Sequence, residues 1–282
     1  MEGRVYLITG CSTGFGKALV EEVIERGDIA VATARDVYKF DFEGTSEKNF
    51  LGLNLEVTSK ESIRECFAAA KAKFGRLDVV VNNAGYGLCG EFESLSDEEI
   101  RKQMEVNFFG AMDCTREAMQ IMREQDPCGG NILQVTSIGG QVGVPAFSLY
   151  NASKWALEGF TEGVAAEIDP AFNIKFTLIE PGPFRTDWAG RSMTTTKLHP
   201  AYEHAPVVAK RKQTAEKSGK QPGDPRRAAK AMCTIVEDSD PPMRIVLGNP
   251  AADILKNKLK TYKESSEKWD KLSRSCDYPE GE

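Results

Sequence analysis

The sequence predicts an α/β fold, one doubly wound parallel sheet of about seven strands in the order 3-2-1-4-5-6-7 with helices on both faces. Two observations carry this. Short β-branched runs alternate with helix-length amphipathic stretches along most of the chain, as βαβ units require. The run Leu77-Asp78-Val79-Val80-Val81 is almost continuously apolar, the pattern of a central parallel strand covered on both faces.

Taken in order, the first strand is Val5 to Thr9, and a helix starting near Gly14 turns Ala18, Leu19, Val23 and Ile24 toward the sheet. Strands follow at Ile29 to Ala34, Phe50 to Leu53 and Leu77 to Asn82. A long helix is expected from Asp97 to Met122, with Ser96 as N-cap and Glu98 and Glu99 complementing the helix dipole. Asn131 to Thr136 makes the fifth strand, a helix runs from Leu149 to Ile168, and Ile174 to Ile179 and Arg244 to Leu247 complete the sheet. Between residues 187 and 225 the periodicity degrades into Ser, Thr, Lys and Pro, which reads as a mobile flap. Residues 1–250 are therefore expected to form one domain, and 251–282 a C-terminal helical extension of one or two surface helices.

The bulk properties exclude several function classes. At 282 residues, 41% hydrophobic and 28% charged, the chain is an ordinary globular sequence, with a net charge of −6 that argues against a nucleic-acid or anionic-membrane partner. The basic cluster Lys210-Arg211-Lys212 reads as a solvated helix face. No apolar run is long enough to cross a bilayer, and Met1-Glu2-Gly3-Arg4 leads into the first strand without a signal-peptide core, so a cytoplasmic location is expected. The seven scattered cysteines show neither disulfide density nor CxxC spacing, and with only two histidines no metal site is assigned.

Directly after the first strand stands Thr9-Gly10-Cys11-Ser12-Thr13-Gly14-Phe15-Gly16. Glycines at these positions permit a tight turn, close backbone approach to a pyrophosphate and helix–sheet packing, while the helix N-terminus faces the phosphate charge. Further on, Tyr150-Asn151-Ala152-Ser153-Lys154 opens a helix, with Ser137 ending the preceding strand. Tyr-x-x-x-Lys sets both side chains on one helical face, so that the ammonium can favour the ionised phenol. A free tyrosine titrates far above neutrality, and a fixed cation makes it a usable proton donor and acceptor.

These motifs, with Asn82-Asn83-Ala84-Gly85, Asn107 in Val-Asn-Phe-Phe-Gly, and Pro181-Gly182-Pro183 followed by Thr186, resemble the short-chain dehydrogenase/reductases from Val5 to Gly248. The phrases around Asn83 and Ile179 look most like the 17β-hydroxysteroid dehydrogenase-like branch. The resemblance implies a single Rossmann-type sheet and hydride transfer between a nicotinamide cofactor and a carbonyl/alcohol pair. By the same resemblance Tyr150 is the acid–base and Ser137 hydrogen-bonds the substrate oxygen. Lys154 lowers the tyrosine pKa and holds the nicotinamide ribose, and Asn107 interrupts its helix and holds a relay water.

The cofactor is expected on Gly10, Ser12, Thr13, Gly14, Phe15 and Gly16, on Arg35, on Glu56 and Val57, and on Asn83, Ala84 and Gly85. Tyr150, Lys154, Pro181, Gly182, Phe184 and Thr186 complete the set. At the end of the second strand, Ala34 occupies the slot of the ribose-binding acid and Arg35 suits a 2′-phosphate, which favours NADP(H). The competing reading makes Asp36 the ribose acid and leaves NAD(H) as the cofactor. Glu56-Val57 stands where the family usually has Asp-Val. The substrate pocket is expected to be walled by Leu88, Phe92, Val144, Trp188, Met193 and Tyr202, apolar enough for a small-molecule substrate that is a neutral or hydrophobic ketone, aldehyde or secondary alcohol. A non-catalytic NADP-sensing protein is the reading from another class, and relatives commonly pair through the two long helices into homodimers or homotetramers.

Overall fold

The computed structural model describes residues 3–38 and 40–278. Met1, Glu2, Lys39 and residues 279–282, and with them the opening dipeptide and the last four residues of the expected extension, lie outside the described residues.

Seven parallel strands form the main sheet: β1 (Val5–Ile8), β2 (Ile29–Ala34), β3 (Phe50–Asn54), β4 (Val79–Asn82), β6 (Gly130–Val135), β7 (Ile174–Pro181) and β9 (Arg244–Leu247). Their spatial order is β3-β2-β1-β4-β6-β7-β9, the predicted topology once two short strands of a separate sheet are set aside. Alternation within each strand splits the core between the two faces. Tyr6, Ile8, Ala30, Ala32, Val79 and Val81 pack on one side beneath α1 (Gly14–Glu25) and α7 (Pro225–Glu237). Val5, Leu7, Val31, Val80 and Ile132 pack on the other beneath α2 (Lys60–Phe74) and α4 (Gly110–Glu124). Fully buried side chains such as Leu19, Phe67 and Met122 each contribute about 1.5–3 kcal/mol by leaving water.

Several elements differ from the sequence reading. The predicted helix Asp97 to Met122 is α3 (Asp97–Met104) and α4 with a π-helical turn, Glu105–Phe109, between them. It starts as expected, with a reciprocal capping box between Ser96 and Glu99. Helix α2, unassigned from sequence, buries Ile63, Cys66, Phe67, Ala70 and Phe74 along one stripe, takes Ser59 as N-cap and ends at Gly75 with φ 78°. Its signals were present. Helix α7 was also unassigned, although Asp224-Pro225 supplies its cap and first turn.

The stretch read as a periodicity-poor flap contains regular elements. Met193–Thr195 forms β8, which pairs in parallel with β5 (Gly87–Cys89), and Pro206–Glu216 forms α6. Neither was legible because β8 is three residues long and α6 presents no continuous apolar stripe. Helix α5 (Ser148–Glu167) follows β6, and the C-terminal extension is one helix, α8 (Asn249–Arg274). Among the described residues, no helix is long and apolar enough to cross a membrane.

Candidate active site

The loops after β1 and β4 diverge where the strand order reverses, and the glycine turn lies in the crevice between them. Gly10 takes φ 74°, and a Cβ there would lie 2.9 Å from the Ala84 Cα. At Gly16 a Cβ would lie 2.4 Å from the Gly10 carbonyl oxygen, so the turn cannot close with any larger residue. The Asn83 amide donates to the carbonyls of Thr9 (2.8 Å) and Gly10 (3.1 Å), and the Thr9 hydroxyl accepts from the Asn83 and Ala84 N–H groups, both at 2.9 Å. Thr13, the N-cap of α1, makes no side-chain cap, which leaves first-turn amides open toward an anion. The turn therefore fits a pyrophosphate group.

At the end of the cavity reached from β2 and β3, Ala34, Arg35, Glu56 and Val57 form the lining. The Asp36 carboxylate accepts from the Tyr38 N–H at 3.1 Å and lies off the cavity wall. Glu56 accepts from the Thr58 N–H and hydroxyl through one carboxylate oxygen.

At the catalytic end, Tyr150 is buried against Trp188, with ring centroids 5.1 Å apart, and packs with Phe147, Val144 and Met193. Burial pushes the Tyr150 phenol up to about 12, and the Ser137 hydroxyl beside it pulls the other way. Lys154 lies one turn on, its Nζ 5.9 Å from the Tyr150 ring centroid and donating to the Val135 carbonyl at 2.8 Å. Burial brings its ammonium down to about 8 against the opposing charge of Glu158. In this structure burial dominates the Tyr150 phenol and Ser137 is the group that opposes it, while burial separately weakens the Lys154 ammonium, because both groups lose water together.

Asn107 sits within the π-turn, its amide donating to the Tyr86 carbonyl (3.0 Å) and the Ser153 hydroxyl (3.2 Å) and its carbonyl oxygen accepting from the Tyr86 N–H (3.0 Å). The extra residue in the ladder turns this side chain inward, where it fixes the backbone beside Gly85. Asn151, missed in the sequence, accepts from the Val144 N–H (2.8 Å) and donates to the Gly139 carbonyl (3.0 Å), tying the loop after Ser137 to α5.

One cavity of about 1240 Å³ brings together Gly10, Ser12, Thr13, Gly14, Phe15, Asn83, Ala84, Gly85, Ser137, Tyr150, Lys154, Pro181, Gly182, Phe184 and Thr186, with Arg35, Glu56 and Val57 at one end and Val144, Trp188 and Met193 at the other. Gly16 and Asn107 support it from behind. Three predicted wall residues do not line it. Leu88 turns into the core from β5 and is 1% exposed, Phe92 faces solvent, and the Tyr202 hydroxyl donates to Glu93 at 2.7 Å outside the cavity.

The basic cluster is also corrected. Lys210 lines the cavity, whereas one terminal nitrogen of Arg211, Nη1, donates to both oxygens of the Glu91 carboxylate at 2.7 and 2.8 Å, a pair whose side chains are 15% and 1% exposed. Only Lys212 keeps the expected solvated role, 3.9 Å from Glu216. The pairing of Glu91 with Arg211 spans 120 residues of chain and has no local signature. Beneath Lys154, Glu158 and the fully buried Glu180 share Gln141 and Arg244, and burial together with the Glu158 charge raises the Glu180 carboxyl to about 7.

Comparison with known proteins assigns the fold to a family. The family model described as short chain dehydrogenase matches residues 4–197. The chain belongs to the short-chain dehydrogenase/reductase family. An uncharacterized oxidoreductase of Schizosaccharomyces pombe is 40% identical over 250 residues, 89% of this chain and 84% of that protein. The 3-ketodihydrosphingosine reductase of Bacteroides thetaiotaomicron is 33% identical over 262 residues, 93% of this chain and 94% of that one. The crystal structure of a short-chain dehydrogenase from Streptomyces avermitilis superposes with a TM-score of 0.88 at 35% identity, covering 98% of this chain and all (100%) of that one. Like those proteins, this short-chain dehydrogenase/reductase is an oxidoreductase.

Proposed function

We propose that this oxidoreductase interconverts an apolar ketone or aldehyde and its alcohol with NADP(H) as the preferred cofactor, NAD(H) remaining usable. The observation that carries the reading is the meeting of Tyr150, Ser137 and Lys154 with the glycine turn on a single cavity. The turn, the Thr9–Asn83 brace and the open first turn of α1 would hold the pyrophosphate, and Lys154 the nicotinamide ribose. A bound nicotinamide supplies the hydride in reduction and accepts it in oxidation.

The protein's own part is proton management and orientation. In reduction the buried Tyr150 phenol, fully protonated near neutrality, gives its proton to the substrate oxygen while the Ser137 hydroxyl hydrogen-bonds that same oxygen. In oxidation the proton returns along the same path. The Lys154 ammonium stabilises the phenolate left behind. Asn107 positions the backbone at Gly85 and Tyr86; its side chain is committed there, so a relay water near Lys154 would be held by its backbone.

The preference for NADP(H) is supported by Arg35, which lies on the cavity with no carboxylate within salt-bridge distance among the described residues, while Asp36 lies off it. A guanidinium so placed suits a 2′-phosphate. The test is a panel of neutral aldehydes and ketones with NADPH and NADH side by side. Faster oxidation of NADPH is expected, and no consumption of either cofactor across the panel would leave the non-catalytic reading in its place.

A further inference from the structure

Helix α6 lies over the catalytic end of the cavity. Val207 packs, as Trp188 and Met193 do, on the buried cluster that holds Phe147 and Tyr150, and from it one stripe continues along the same face through Lys210, Gln213, Thr214 and Lys217, all of which line the cavity. These positions follow helical spacing. The stripe runs from apolar to cationic, over a rise of about 15 Å at 1.5 Å per residue.

The charges on this stripe are left open. Among the described residues neither Lys210 nor Lys217 has a carboxylate within salt-bridge distance, whereas their neighbours are paired, Arg211 with Glu91 and Lys212 with Glu216. Arg191 at the mouth is held by Asp187 at 2.9 Å. Lys220 also lines the cavity and follows within one turn, its N–H donating to the Lys217 carbonyl at 3.0 Å; from there the chain heads toward the glycine turn, where the Gln221 carbonyl accepts from Arg185 and Gly223 packs on Phe184, whose ring lies 5.1 Å from Phe15. The chain as a whole carries −6, so Lys210 and Lys217, unpaired on one helical stripe beside the cavity that Lys102 and Lys220 also line, are a local concentration of positive charge.

We infer that the substrate is amphipathic, an apolar carbonyl or alcohol compound carrying an anionic group that Lys210 and Lys217 engage at the mouth while the reacting carbon lies among Tyr150, Trp188 and Phe147. The inference rests on the proposed hydride-transfer reading and deepens it. A carboxylate several methylenes from the carbonyl has the required chemistry. The apolar segment spans the wall under Val207 and the acid reaches the first or second turn of the lysine stripe.

The experiment compares ω-oxo fatty acids of graded length with their methyl esters, using NADPH, in the wild type, in Lys210→Gln/Lys217→Gln and in Lys212→Gln as the outward-facing control. In the wild type at low ionic strength the acid is expected to exceed its ester in kcat/KM by about tenfold, equivalent to about 1.4 kcal/mol, at the best-fitting chain length. The difference should lie in KM, shrink with added salt and approach parity in the double variant. Lys212→Gln should keep the wild-type ratio. Equal use of acid and ester by the wild type overturns the inference. So does a double variant that raises the KM for NADPH while keeping the acid-to-ester ratio, since the lysines would then serve the cofactor's phosphates. Calorimetric titration of a saturated fatty acid and its methyl ester separates the two layers of the argument. If no carbonyl is turned over yet the acid binds more tightly through these lysines, the hydride-transfer reading fails and the anion site stands. Equal binding removes the anion site.

Discussion

Replacing Glu91 by alanine tests how α6 is held over the cavity. The Glu91 side chain is 1% exposed and receives two hydrogen bonds from Arg211, and its carboxylate also accepts from the His199 N–H at 3.4 Å. Arg211 in turn donates to the Thr196 carbonyl, so one ion pair joins the segment after β5 to both β8 and α6. Removing one partner of a buried pair costs about 3–5 kcal/mol, because the other charge is left without water or counter-ion. Here Arg211 can escape that cost by swinging α6 outward. The loss should therefore appear as release of residues 193–217, a shift of at least about a hundredfold in the local opening equilibrium at about 1.4 kcal/mol per decade, while the sheet stays folded. Hydrogen exchange read by peptide mass spectrometry measures it, and a double-mutant cycle with Arg211→Met isolates the pair. Acid should mimic the mutation. Burial pushes the Glu91 carboxyl up, but the Arg211 hydrogen bonds and charge outweigh it and leave it below the ordinary range. The stabilisation is thus complete above the normal glutamate range and lost as pH falls through the depressed value. Unchanged exchange in Glu91→Ala, or additive effects of the two substitutions, would refute the latch.

Other outcomes follow from the same geometry. Tyr150→Phe should lower kcat by at least about a hundredfold, the usual span of general acid catalysis, with NADPH binding by fluorescence nearly unchanged. Arg35→Ala should raise the KM for NADPH more than that for NADH; equal changes would return the ribose to Asp36. Carbonyl reduction should decline as pH rises through about 8, where Lys154 loses its charge. Since the Glu158 charge raises the Lys154 value, Glu158→Gln should move that limb to lower pH, and a limb that stays in place would detach Lys154 from it. The Glu180 carboxyl, raised to about 7, contributes stability at low pH that is lost as pH climbs from the ordinary glutamate range through about 7. Glu180→Gln should flatten the dependence of Tm on pH across that window.

The sheet and most of its seams were readable from local pattern. Strands covered on both faces show as apolar runs, and the glycine turn shows because only glycine tolerates φ 74° at Gly10 and the contact at Gly16. Helix α2 was missed although Ser59, Gly75 and the stripe from Ile63 to Phe74 announce it. Tyr150 and Lys154 were legible as a helical pair because their spacing is set by one turn of backbone.

What the chain order could not carry is any relation made by distant segments. Whether Arg35 or Asp36 meets the cavity depends on where β2 ends against β3, a difference of one residue in direction. Leu88 and Phe92 are expected pocket walls, but in the fold Leu88 is buried within β5, paired with β8, and Phe92, in the turn that follows, lies in solvent. The sharpest case is Lys210-Arg211-Lys212. As sequence it is three adjacent cations with one expected fate; in the folded chain helical geometry sends them in three directions, to the cavity, to buried Glu91 and to solvent. Local periodicity determines that neighbours diverge around a helix, and only the tertiary packing decides what each of them meets.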